Sequence, residues 1–265
     1  MNKTIVTDKH SRKSVLLSSA AVFTYLFLSS LFIPPAQSHA DSKNTYLEIS
    51  GGFGTGDFGG PTRTNLYYLA SAIGYVTQSY DLSITIPYLF LSSDNDGSGQ
   101  DGMMNTKNGI GDIILRGGGS LLKEDIAGFS IDGALSAKLP TADEKDGLGT
   151  GEADYGVFLD IGKQISNFKI SLLPGYIYTG DSATQKYEDI NLYGIGASAI
   201  FGHTYYYLSY EWRTSMFSEA EDPQFISGGF FHAFNSTYSI KGDAAFGLND
   251  GAPDLGLKIG LVTWF

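Results

Sequence analysis

The 265-residue chain carries 28 acidic and 17 basic residues, a net charge of −11 that excludes nucleic acid, whose phosphates it would repel. Cysteine is absent, which excludes a disulfide scaffold and any cysteine-held metal. Charged residues make up only 17%, and 34 glycines, 17 tyrosines and 17 phenylalanines take their place, a bias toward β structure in one large domain or two small ones.

Lys3, Lys9, Arg12 and Lys13 lead into the apolar run VLLSSAAVFTYLFLSSLFI, and SHA at 38–40 is a small-x-small cleavage site. The pattern predicts a signal peptide over residues 1–40, with an uncleaved anchor helix as its alternative. The leader holds four of the basic residues and Asp8, so residues 41–265 carry −14. That balance argues against docking onto anionic lipid heads through basic patches.

From residue 45 onward apolar and polar residues alternate, the period of strands with two unlike faces. TYLEISGGF puts Leu47, Ile49 and Phe53 on one face and Glu48 and Ser50 on the other. Twelve such segments follow one another, near 45–53, 65–76, 82–91, 110–121, 129–139, 153–162, 168–179, 190–201, 205–215, 224–233, 238–248 and 254–265. Their connections alternate between short turns, such as GHT and FNST, and longer loops rich in glycine and acid.

The longest loop contains SSDNDGSGQDG, whose Asp94 and Asp96 fall at EF-hand spacing. Asn105 stands where such a loop needs a bidentate Glu, and the preceding LSITIPYLFL suits a strand, not a helix. Asp94, Asp96 and Asp101 remain a weak calcium candidate, facing outward where divalent cations bridge lipopolysaccharide.

The expected fold is all-β: a transmembrane outer-membrane β-barrel of about 12 antiparallel strands in an up-and-down meander over residues 41–265. A secreted soluble β-barrel also alternates. Three features favour the membrane: a polar face of glycine, serine and charge that suits a wet lumen, aromatics near strand ends, and the last strand. Tyr67, Tyr75, Phe168, Tyr178, Tyr206 and Trp212 sit where interfacial girdles belong. The chain closes with LGLKIGLVTWF, and a final strand ending in Phe265 resembles the signal read by the bacterial barrel-assembly machinery.

Only His203 and His232 remain beyond the leader, too few and too poorly placed for a barrel hydrolase, so no enzyme, metal or cofactor is expected. Inward charges are the better candidates for lining and gating the lumen. Turn-centred pairing sets Asp112 opposite Lys138, Asp160 opposite Lys169 and Asp243 opposite Lys258. Arg116 falls diagonal to Asp132, and Glu211 and Arg213 share one face. Such pairs also stabilise the wall by roughly 0.2–1 kcal/mol each. Pro87 and Pro174 lie within strands, where a missing donor implies a bulge or a kink, with sideways opening toward lipid as one consequence.

Pro87-Tyr88, the Gly109, Gly111 and Asp112 strand, Lys138 to Thr141, and the loop glycines Gly147, Gly149 and Gly151 carry a further likeness. This stretch resembles the MetA-pathway of phenol degradation family of outer-membrane transporters. Where that family is expected to show Tyr-Gly-Leu-Thr, this chain has Gly74-Tyr75-Val76-Thr77. The resemblance implies passive passage of small, hydrophobic or aromatic solutes across the outer membrane, with lipid and lipopolysaccharide as surroundings. The alternative is a barrel that binds a partner at the surface without transport.

Overall fold

The computed structural model describes residues 43–57, 63–93, 105–182 and 186–265. The leader and the Asp94, Asp96 and Asp101 candidate lie outside the described residues.

The strands are β1 (Thr45–Gly56), β2 (Thr64–Val76), β3 (Tyr80–Ser93), β4 (Asn105–Ile110), β5 (Ile113–Leu122), β6 (Ser130–Leu139) and β7 (Asp154–Ile165). They continue as β8 (Phe168–Leu172), β9 (Gly175–Tyr178), β10 (Ile190–Phe201), β11 (Thr204–Arg213), β12 (Gln224–Ala233), β13 (Tyr238–Gly247) and β14 (Leu255–Trp264). One helical turn, α1 (Glu124–Ala127), fills the connection between β5 and β6. Neighbours pair antiparallel, and β14 closes on β1 from Tyr46↔Trp264 to Thr55↔Leu255. Since β4 and β5 form one stave and β8 and β9 another, the wall is a closed barrel of twelve staves. Closure pairs the strands on both sides except at β4, which pairs with β3 alone, and so meets the condition for crossing lipid along the rest of the wall.

The two split staves depart from the expected single strands 110–121 and 168–179. Tyr88 pairs with Ile110 and Thr85 with Ile114, so Ile86 and Pro87 face three residues, Gly111 to Ile113. This is a β-bulge, and Pro87 explains its place: its carbonyl accepts from the Gly111 N–H at 2.9 Å, but it has no N–H to return. The extra residue reverses parity, so Ile110 before it and Leu115 after it both face out. Pro174 behaves differently. Ile161↔Leu172 and Phe158↔Gly175 keep one register across it, and its carbonyl accepts from Leu159 N–H at 2.9 Å. Only a donor is missing there, and the wall neither bulges nor changes register.

The outer surface inverts that of a water-soluble protein. Ile49, Leu69 and Ile259 are each 57% exposed at mid-wall, and Leu208 is 58% exposed. Exposed aromatics bracket this band: Tyr75, Phe168, Phe201, Tyr206, Tyr238 and Phe265 at the short-turn end, and Tyr67, Tyr155, Tyr178, Tyr193, Trp212 and Phe246 at the other. Apolar side chains between two aromatic rings match a hydrocarbon layer and its two interfaces. The barrel is thus built to sit in an outer membrane, with the short turns toward the periplasm.

Candidate functional site

The inward faces define the site, which runs from the short-turn end to the long-loop end. At the short-turn end lies a cavity of about 620 Å³, lined by turn residues Gln78, Ser79, Ser166 and Asn167 and by Arg116, Asp132, Asp160, Lys169 and Tyr205. Asp132 and Asp160 are Cα partners across β6 and β7. Lys169 Nζ lies 3.1 Å from a carboxylate oxygen of each. Its stem crosses Gly162 so closely that a Cβ there would sit 1.9 Å from Lys169 Cε. Glycine at 162 is therefore what lets the lysine reach both acids.

Two expected registers are corrected here. Gln164, not Asp160, lies opposite Lys169, because the turn closes at Ser166–Asn167, with Ser166 in the left-handed region at φ 57°. Arg116 does not meet Asp132. It faces Ser83 and Ser136, and its guanidinium pairs with the Asp81 carboxylate. The β5–β6 hairpin turns through α1 and its register shifts again at an irregularity between Ser120 and Leu122, so that Ile114 and not Asp112 opposes Lys138.

Halfway up, Asp243 and Lys258 are directly opposed, as the sequence reading expected. Two residues outside the candidate pairs complete the waist. Lys241 Nζ lies 2.6 Å from Glu48 Oε2, and Lys258 Nζ is 3.9 Å from Glu48 Oε1. The Tyr207 hydroxyl donates to Asp243 Oδ1. Tyr68 lies flat over Gly52, its cross-strand partner, whose added Cβ would meet the ring at 2.2 Å. Alternation had placed Glu48 on the polar face. Only the barrel's closure between β14 and β1 brings Glu48 to Lys241 and Lys258.

Above the waist the lumen holds packed apolar clusters beside buried ion pairs, where the expectation was a polar interior throughout. Leu66, Tyr68, Leu89 and Leu91 from β2 and β3 form one cluster with Leu148, which belongs to the loop joining β6 to β7. That loop folds into the barrel. Lys138 Nζ anchors it, 2.7 Å from Asp154 and 3.6 Å from Asp112 while donating to Thr150 Oγ1 at 2.7 Å. Asp112 in turn accepts from the Thr141 and Ala142 amides at 3.1 and 3.0 Å. At Gly149 the backbone passes Asp112 so tightly that a Cβ would lie 2.8 Å from its Oδ2. Asp112 and Lys138 thus meet as expected, through the bulge and the loop and not by direct opposition. The apolar outer chamber escapes sequence reading because its plug, Leu148, comes from a glycine-rich loop without strand periodicity.

A second cluster joins Phe158, Ile177, Ile190 and Leu192 to Tyr187 and Met216, which also come from long-side loops. Burial pushes the Tyr187 phenol up to about 12, with Glu144, Asp154 and Glu152 adding to it, so the ring packs as a neutral group. Beside it Arg213 is fully buried, 2.8 Å from Glu211 Oε2 and 4.6 Å above the Phe225 ring. His232 bonds Thr204 Oγ1 through Nδ1 at 2.7 Å, at the short-turn end.

A family model for the MetA-pathway of phenol degradation matches residues 47–263. Among solved structures, an outer membrane channel from Pseudomonas putida F1 is similar at TM-score 0.66 and 14% identity, over 88% of this chain and 100% of its own. The translocator domain of the autotransporter NalP from Neisseria meningitidis is similar at TM-score 0.57 and 11% identity, over 95% and 99%. The beta domain of the Bordetella autotransporter BrkA follows at TM-score 0.53 and 9%, over 85% and 100%. At such identities the likeness is one of fold. No curated protein matches the chain.

Proposed function

The chain belongs to the MetA-pathway of phenol degradation family, and from that membership we propose an outer-membrane channel for the passive passage of small hydrophobic or aromatic molecules. The observation that carries this reading is the two-part lumen. A packed apolar cluster of leucine and tyrosine lies on the long-loop side, and a vestibule of about 620 Å³, lined by Arg116, Asp132, Asp160 and Lys169 among apolar residues, opens on the other. Apolar solutes gain by leaving water for the first, and the second returns them to an aqueous space.

The charged residues at the waist and in the vestibule are proposed to set which solutes cross. Asp243, Lys258, Glu48, Lys241, Asp132, Asp160 and Lys169 discourage apolar cargo from lingering and hold water in place. Replacing Asp243 by Asn together with Lys258 by Met should change the ion selectivity of single channels. Unchanged selectivity would reduce the pair to a wall brace.

The surroundings complete the proposal. Residues 1–40 direct export, the last strand with Phe265 engages the barrel-assembly machinery, and the acidic outer loops lie among lipopolysaccharide and its bridging cations. No enzymatic step is assigned to the chain. The test is growth on an aromatic carbon source with the gene deleted and then restored. A deletion that slows growth at low substrate, with recovery on complementation, supports the channel. Equal growth favours a surface protein without transport.

A further inference from the structure

Leu148 occupies the place that an apolar solute would take. It is 4% exposed, lies inside the barrel, and touches side chains from β2 and β3 that are remote in sequence. A strand residue has no choice of face, but this leucine comes from a loop on the long-loop side. Gly147 and Gly151 stand in the left-handed region at φ 72° and 77°, a conformation that costs glycine little and other residues more. The turn they make delivers one leucine into the chamber. Gly109 is kept bare beneath it, since a Cβ there would lie 2.7 Å from Leu148 Cδ1.

The contacts holding the loop divide into two kinds. Its base is fixed by buried groups, Lys138 with Asp112, Asp154 and Thr150. Its far turn is held by a half-exposed ion pair, Lys107 Nζ to Asp146 Oδ1 at 2.5 Å. Exposed pairs are weak; the turn's own backbone bonds, such as Leu148 N–H to the Asp143 carbonyl at 3.1 Å, move with it, and the leucine side chain meets the wall only by apolar contact. A loop with a firm hinge and a lightly held tip can release the tip without unfolding its base.

We infer that Leu148 is a built-in stand-in for the transported solute. The cluster of Leu66, Tyr68, Leu89 and Leu91 is a binding site for a small aromatic or aliphatic hydrocarbon, and its occupant opens the channel by displacing Leu148. This inference rests on the channel reading above. A ligand shifts an equilibrium only by binding one state better than the other. Here the difference is built in, because solute and Leu148 cannot fill the same space.

The test uses the full-length barrel in planar bilayers, with toluene as the probe. Three proteins are compared: the natural chain, Leu148→Ala, and a Lys107→Cys/Asp146→Cys pair joined by a short bismaleimide. The natural chain has no cysteine to interfere. Toluene should raise the open probability of the natural channel. Leu148→Ala should be open about tenfold more often without toluene and respond little to it, as expected from losing most of a buried leucine's apolar contact. The tethered channel should ignore toluene, and a linker with a cleavable disulfide should restore the response on reduction. A tethered channel that responds as the natural one does, or a folded Leu148→Ala with unchanged opening, overturns the inference. Because the tether alters one residue at the outer end of β4 and none of the residues that touch Leu148, it decides even if the alanine variant folds poorly. Growth and uptake by cells report separately on the channel reading, so either can fail while the other stands.

Discussion

Single residues in this barrel matter most where a charge is buried. Lys138 is the clearest case, since Asp112 and Asp154 both depend on it and its own side chain is only 10% exposed. Lys138→Met leaves two carboxylates close together without a cation, at a cost of about 3 kcal/mol. Urea unfolding of the lipid-reconstituted barrel, followed by the fluorescence of Trp212 and Trp264, should show that loss. A cost below about 1 kcal/mol would mean that the acids find another partner. The contrast is Lys163, more than half exposed beside Glu124, whose replacement by Ala should cost about 0.5 kcal/mol or less. The sequence made the charges legible as inward residues, because alternation sorts faces. It did not make their partners legible. Arg116 meets Asp81 across β3 and β5, and Lys138 meets Asp154 across β6 and β7, strand pairs joined by long connections whose register no short turn marks in the sequence.

At the level of elements, the bulge opposite Pro87 is the feature with the most consequence. It inserts one residue so that the apolar positions of β4 and β5 both meet lipid, although they lie on opposite parities of the sequence. Ile110 and Leu115 carried that signal, since two lipid-facing residues cannot sit five apart in one unbroken strand. Deleting Gly111 should let the two strands run as one ladder and turn a set of side chains to the wrong face. With β5 held by β6, Lys107 would then point toward lipid and Ile110 into the lumen. Folding should fall by about 2 kcal/mol or more, read as loss of the heat-modifiable band on a denaturing gel. A deletion that folds normally would show that the bulge is incidental. Pro174 makes the complementary point. The sequence marks both prolines alike, and the structure separates them, because a missing donor forces a bulge only where the neighbouring strand cannot stay in register.

For the whole molecule, an apolar outer belt, apolar clusters in the upper lumen and a charge-lined vestibule in the lower lumen are consistent with a path between two aqueous sides of a membrane. The belt is tested by placing a charge at its middle. Ile259→Lys should destabilise the barrel by about 2–4 kcal/mol in lipid, and the loss should shrink for a similar change near either aromatic girdle. A cost independent of depth would contradict the membrane assignment. The fold was legible because twelve alternating segments with short and long connections admit few other closures. The apolar cluster was only partly legible, because Leu66, Tyr68, Leu89 and Leu91 lie on strands while Leu148, which completes it, comes from a loop. The most direct measurement of the central claim is the initial rate of labelled toluene uptake, at low concentration, by cells with an intact outer membrane. Removing the gene should lower that rate severalfold, and restoring it should recover the rate. Equal rates with and without a correctly folded barrel in the outer membrane would contradict a transport role.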